Sequence, residues 1–165
     1  MAERPRLPFD PIERAGDLWG ERIGDPSAMR LATSIMRVQQ LLLAEFDRVL
    51  KPFGITFARY EVLVLLSFSS SGQLPLSKIG ERLMVHPTSV TNAIDRLVDA
   101  GLVARTTDDV DRRRVLASLT SDGERTLKEA TKALTDIDFG LAALEPEERE
   151  RAYALLRAVR AGDFE

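Results

Sequence analysis

The chain has 165 residues, no cysteine and a single histidine, with 44% apolar residues, 30% charged residues and a formal net charge of −3. The absence of cysteine excludes disulfides, thiolate catalysis and zinc–thiolate centres, and one histidine, His86, excludes a multi-histidine metal site. The length suits one domain, the longest aliphatic run (62–66) is far short of the roughly 18 residues of a membrane span, and the start carries prolines and an acid where a signal peptide would be apolar; a soluble cytoplasmic protein with no cofactor and no membrane partner is expected.

In chain order, Asp10-Pro11 opens a short helix to about Ile23, and Gly24 ends it. Asp25-Pro26 then places an acid at an N-cap and a proline at the first helical position, where its missing N–H was unpaired anyway. A long helix is predicted to follow. Met29, Ala32, Ile35, Met36, Leu42, Leu43, Phe46, Val49 and Leu50 recur at steps of three and four until Pro52 and Gly54 stop it. Thr56 is placed to cap the next helix, which runs through Tyr60 and the aliphatic run; the serine-rich stretch 67–72 reads as a loop and 73–75 as a short extended piece. A compact helix follows over 76–83, with Gly80 small enough for another helix to cross closely. Three residues later Pro87 restarts a helix that ends near Gly101. Two short helices with a tight turn are the helix-turn-helix pattern. The β-favouring segments 102–107 and 115–120, joined by polar residues 108–114, read as a hairpin with a charged tip, with Val115, Ala117 and Leu119 on one face. Ser121 with Glu124 reads as a capping box opening a helix to about Gly140, and Pro146 starts the last helix, with Leu155, Leu156 and Val159 as its buried stripe. The predicted fold is mainly α with a small β-hairpin wing, a winged helix-turn-helix.

Charge is uneven along this chain. Residues 121–165 carry 7 basic and 11 acidic groups, whereas 76–120 carry 7 and 6, with the bases concentrated at Arg112, Arg113 and Arg114. A mildly acidic protein can still bind DNA through one positive face. On a helix over 87–100, Val90, Ile94 and Leu97 share a face, while Thr88, Ser89, Asn92 and Arg96 lie on the opposite arc, whose first two turns hold no acid. Short hydroxyls, an amide and an arginine are side chains that bond base edges and phosphates. The alternative is a capped surface helix with a solvated face. In the tip, Asp111 and Arg113 are two apart, so on extended chain they fall on one side and can pair; an arginine there suits a narrow minor groove, the alternative being a solvated charged loop. No phosphate loop, nucleophile elbow or second histidine supports an enzyme.

Three stretches, Leu-Ser-Lys-Ile-Gly-Glu-Arg-Leu (76–83), Val-His-Pro-Thr-Ser-Val-Thr-Asn-Ala-Ile-Asp-Arg-Leu-Val-Asp-Ala-Gly-Leu-Val (85–103) and Asp-Arg-Arg-Arg-Val-Leu-Ala-Ser-Leu-Thr (111–120), resemble the MarR family of winged helix-turn-helix repressors. The resemblance extends over about 26–160. It implies a single domain over 1–165, with 10–55 and 121–165 as dimerisation helices and 56–120 as the DNA-binding lobe. It further implies a homodimer on a pseudo-palindromic operator in double-stranded DNA and a small, aromatic or anionic effector. The expected DNA contacts are Ser77, Lys78, Thr88, Ser89, Thr91, Asn92, Arg96, Asp111, Arg112 and Arg113. The first helix with Trp19 resembles the urate-responsive branch, which implies ligand contacts at Trp19, Glu61 and Arg113. The chain departs from that pattern, since Glu61 replaces an aspartate and Ala93 stands where an arginine is expected; Trp19 as a packing residue remains the alternative. A winged-helix module used only for protein contacts is the other functional reading, and without cysteine any switch should be a bound small molecule rather than thiol oxidation.

Overall fold

Two aspartates start the N-terminal helices of the computed structural model, which describes residues 7–108 and 111–162. Asp10 Oδ1 accepts the Ile12 N–H at 2.7 Å and opens α1, Pro11–Arg22. Asp25 accepts the Ser27 N–H at 3.0 Å and the Ser27 hydroxyl at 2.7 Å, opening α2, Ser27–Leu50. The Ser27 hydroxyl, then its N–H, hold the Asp25 carboxyl below its usual value. The remaining elements are α3 (Phe57–Ser67), β1 (Gln73–Pro75), α4 (Leu76–Leu83), α5 (Pro87–Asp99), β2 (Val103–Thr107), β3 (Val115–Leu119), α6 (Ser121–Thr135) and α7 (Pro146–Arg160), with 3₁₀ turns at Lys51–Phe53 and Asp138–Gly140. The chain divides within α2 into two compact units, Met1–Ala44 and Glu45–Glu165. In the first, Arg30 Nη2 pairs with Asp17 at 2.6 Å, tying α1 to α2.

The second unit has the main core. Leu50, Leu63, Leu66, Ile79, Ile94, Leu97 and Leu134 are fully buried in it, so α3, α4, α5 and α6 share one apolar centre. Phe46 packs on Phe57 with the rings tilted and their centroids 4.6 Å apart and meets Phe139 edge-on at 6.0 Å, and the Tyr60 hydroxyl joins Thr131 Oγ1 at 3.1 Å across α3 and α6. The sheet has three antiparallel strands in the order β1-β3-β2. The short extended piece thus pairs with the hairpin, Leu74 opposite Ala117.

Several local readings differ from the structure, among them the expected buried stripe of α7, since Leu155, Leu156 and Val159 are exposed within the chain. The Thr56 hydroxyl makes no cap; Asp47, from the end of α2, accepts the Phe57 N–H at 2.8 Å instead. Along β3 the alternation fails, because Leu116 and Ala117 are both buried while Val115 is 40% exposed. Here the neighbouring helices, not the pleat alone, decide burial. The N-cap of α6 is Thr120 rather than Ser121: its Oγ1 accepts the Gly123 N–H at 3.0 Å and donates to the Gly101 carbonyl at 2.7 Å. Helix α6 ends at Thr135 rather than near Gly140, because Asp138 and Phe139 take left-handed conformations (φ 49° at each) that place the Phe139 ring against Phe46.

The start of α6 is clamped onto the hairpin. The Leu102 carbonyl accepts the Thr120 N–H at 3.1 Å, and a Cβ added at Gly123 would stand 2.0 Å from that same oxygen. Backbone cannot yield as a flexible side chain does. Gly123→Ala is therefore expected to cost about 3 kcal/mol, lowering the melting temperature by about 6–12 °C. A thermal melt with an unchanged midpoint would show that α6 does not pack so closely.

Candidate nucleic-acid interface

How α5 is presented depends on the turn before it. Helix α4 closes on Met84 in the left-handed region (φ 53°), the Val85 N–H returns to the Gly80 carbonyl at 3.1 Å, and His86 caps α5 by accepting the Thr88 N–H on Nδ1 at 3.3 Å. A Cβ at Gly80 would lie 3.3 Å from Val90 Cγ2 and 3.4 Å from the Val85 carbonyl, so the crossing of α4 and α5 fits a glycine. The expected inner face is observed: Val90, Ile94 and Leu97 are buried.

Thr88, Ser89, Thr91, Asn92 and Arg96 are all exposed, and the first turn of α5 holds no acid. The Thr91 hydroxyl donates to the Pro87 carbonyl at 3.1 Å, leaving its lone pairs and methyl free. Among the described residues none holds the Ser89 or Asn92 side chain. Asp95 is paired with Arg105 of β2 at 2.5 Å, which offsets one acid of the later turns and pins α5 to the wing. Arg96 and Asn92 line a cavity of about 550 Å³ together with Arg59, Asp95 and Asp99. Arg59 and Arg105 were not singled out from the sequence, since neither lies in a motif and only the packing of α3 and β2 against α5 brings them near. Ser77 and Lys78 are exposed at the start of α4, Lys78 Nζ resting on Glu81 at 2.6 Å, a solvated pair of little strength.

The wing tip is a turn, not extended chain. Asp111 Oδ1 accepts the Arg113 backbone N–H at 3.0 Å and the Asp111 carbonyl accepts the Arg114 N–H at 2.8 Å, so Asp111 shapes the tip through backbone bonds rather than the expected side-chain pairing with Arg113. Asp108 closes the base, its N–H donating to the Arg114 carbonyl at 3.0 Å while its carboxylate lies 3.6 Å from Arg114 Nη1. Arg112 and Arg113 are exposed, and no described residue pairs with either. Asp109 and Val110 of the expected tip lie outside the described residues.

Of the expected ligand contacts, Trp19 lies in the first compact unit, 37% exposed, and its carbonyl accepts the Ile23 and Gly24 N–H groups. Glu61 lines a second cavity with Tyr60, Phe68, Leu83 and Phe139, while Ala93 lines the Arg96 cavity; neither cavity includes Arg113. No described helix is long and apolar enough to cross a membrane.

The MarR family model matches residues 55–115, the span from the start of α3 to the wing. The structure is similar to that of Sco5413, a MarR family transcriptional regulator from Streptomyces coelicolor, at 55% identity and a TM-score of 0.76, covering 84% of this chain and 98% of that one. It is also similar to a mutant MarR from E. coli complexed with operator DNA, at 26% identity and a TM-score of 0.72, covering 87% of this chain and 98% of the other. The transcriptional repressor MdtR of Bacillus subtilis is 36% identical over 91 residues, 55% of this chain and 57% of its own length. The chain spans about three fifths of the length of the first curated relatives it matches. The match over α3 to the wing, and the near-complete coverage of a 55% identical relative, show that this chain belongs to the MarR family of transcriptional regulators.

Proposed function

We propose that the protein is a cytoplasmic, homodimeric regulator that binds a pseudo-palindromic operator in double-stranded DNA, represses transcription there, and is released by a small effector. The observation that carries DNA binding is the first two turns of α5. They present Thr88, Ser89 and Asn92 in an acid-free setting at the positive end of a helix dipole, on a lobe whose wing tip offers Arg112 and Arg113 without a described partner. In this reading α5 enters the major groove, where Ser89 and Asn92 meet base edges and Thr88, Thr91, Arg96, Ser77 and Lys78 meet phosphates or adjacent bases, while Arg112 and Arg113, on a tip shaped by Asp111, lie over the minor groove. The operator-bound relative supports the docking and the repressor relative supports the sign of regulation.

Residues 56–120 then act as the DNA-binding lobe, and 10–55 with 121–165 as the helices that join two copies within one domain. Exposed apolar residues on both sets support this, including Leu31, Met36 and Val38 on α2 and Tyr153, Leu155 and Val159 on α7. Of Trp19, Glu61 and Arg113, the effector contacts that the resemblance implies, Glu61 lines a cavity of the lobe and is taken as the contact in this reading. The test is a titration of the protein against the duplex upstream of its own gene and a scrambled duplex over a salt series. Preference for the upstream duplex by about 10³-fold or more, with affinity falling steeply as salt rises, is expected. Equal binding to both, or to neither, would favour a module that contacts only proteins.

A further inference from the structure

One cavity in the lobe has no part in the DNA contacts. It has a volume of about 330 Å³, at the small end for ligand sites, and lies between α3, the end of α4 and the Asp138–Gly140 turn. Its walls are apolar and rich in rings: Tyr60 and Phe139 line it, and Phe68, 76% exposed, stands at its edge. The Tyr60 hydroxyl is already engaged with Thr131, so what Tyr60 offers the cavity is its ring. Among the described residues, Glu61 is the one acid in the lining. No described hydrogen bond or ion pair holds its carboxylate, and partial burial pushes its pKa above the ordinary glutamate value.

The Phe139 ring is held in place at a cost. Asp138 and Phe139 are consecutive non-glycine residues in the left-handed region, a conformation that crowds Cβ against the backbone and that survives where surrounding contacts impose it. Here the Phe139 ring meets Phe46 edge-on at 6.0 Å, and Arg149 bonds the same turn, donating from Nη2 to Asp138 Oδ2 at 3.0 Å and from Nε to the Leu144 carbonyl at 2.9 Å.

We propose that this cavity binds a small organic cation, a protonated amine or quaternary ammonium carried on a single ring, with Glu61 as counter-ion and Tyr60, Phe68 and Phe139 as aromatic walls. Ring faces carry negative potential and attract cations, and the exposed Glu61 carboxylate at the rim supplies a counter-ion beside them. An anion would meet like charge at Glu61, the charged residue of this lining. The inference rests on the ligand-release reading above and, of the aromatic or anionic effector that the resemblance implies, keeps the aromatic ring and makes its charge positive.

The experiment compares three probes sharing a phenyl ring, phenethylamine, 2-phenylethanol and phenylacetate, by isothermal titration calorimetry with the full-length protein. Phenethylamine should bind about tenfold more tightly than 2-phenylethanol, and phenylacetate should bind weakest. Glu61→Gln should bring the amine to the affinity of the alcohol, with melting curves confirming the fold. Phe68→Leu, at an exposed position that folding does not depend on, should weaken the amine several-fold and the alcohol less. Binding of phenylacetate as tight as the amine, an amine preference that survives Glu61→Gln, or no binding by any of the three overturns the proposal. Adding each probe to the duplex complex separates the two readings. An amine that binds without releasing DNA keeps the cavity assignment and overturns release by this ligand. Release by phenylacetate with no amine binding does the reverse.

Discussion

A Leu155→Glu, Leu156→Glu protein is expected to sediment as an 18.4 kDa monomer and to bind the operator duplex about 10²–10⁴-fold more weakly than the wild type, although neither residue is expected to touch DNA. Helix α7 buries none of its residues within the chain, yet Leu155 is 72% exposed, Leu156 37% and Val159 43%. An apolar stripe of this kind is costly in water and is relieved when a second copy covers it. In the proposed dimer a two-fold pair would place two α5 helices on successive major grooves, so that binding by the first lobe would make binding by the second intramolecular. Glutamate in the stripe puts charge where apolar surface should close, which separates the copies and removes that advantage. Sedimentation velocity at micromolar concentration should give about 37 kDa, twice the chain mass, for the wild type. A wild-type protein that ran as a monomer and still bound its duplex tightly would remove the basis for the dimer.

Asn92→Ala and Arg113→Ala are expected to weaken DNA binding in different ways. Asn92 is exposed near the start of α5 with no described partner, so an amide is available for a base edge; its loss should cost about 1–3 kcal/mol and relax preference at particular base pairs. Arg113 stands on a turn whose shape comes from the Asp111 bond to its own backbone N–H. Its loss should weaken binding to every sequence and lower the salt slope by about one unit for each phosphate contact removed. Asp111→Ala should act as a milder Arg113→Ala, because the tip loosens while the charge stays. Titration of each variant on operator and scrambled duplexes over a salt series reads both quantities. If folded Arg113→Ala kept wild-type affinity and slope, the wing contact would pass to Arg112, which is exposed beside it.

The order and kind of the described α-helices and strands, though not the two 3₁₀ turns, were legible in the sequence, because the signals are local. Aspartate before proline starts a helix whatever surrounds it, as at Asp10 and Asp25, and the three-and-four spacing of Val90, Ile94 and Leu97 needs only helical geometry to define a buried face. The polar arc of α5 was legible for the same reason, being the complement of that face. What the tertiary structure alone decided is wherever a partner distant in sequence competes with a local one. Asp47 displaced the Thr56 hydroxyl as the cap of α3, and the Leu102 carbonyl, packed on Gly123, set the start of α6. Arg105 reached Asp95 from another strand, and Phe139 left the helix to meet Phe46, completing an aromatic cavity around Glu61 that no spacing in the chain announces. Sequence periodicity says which face of an element is apolar. Which residue of another element arrives on that face depends on packing that links positions tens of residues apart, as between Glu61 and Phe139, and such links exist only once the chain has folded.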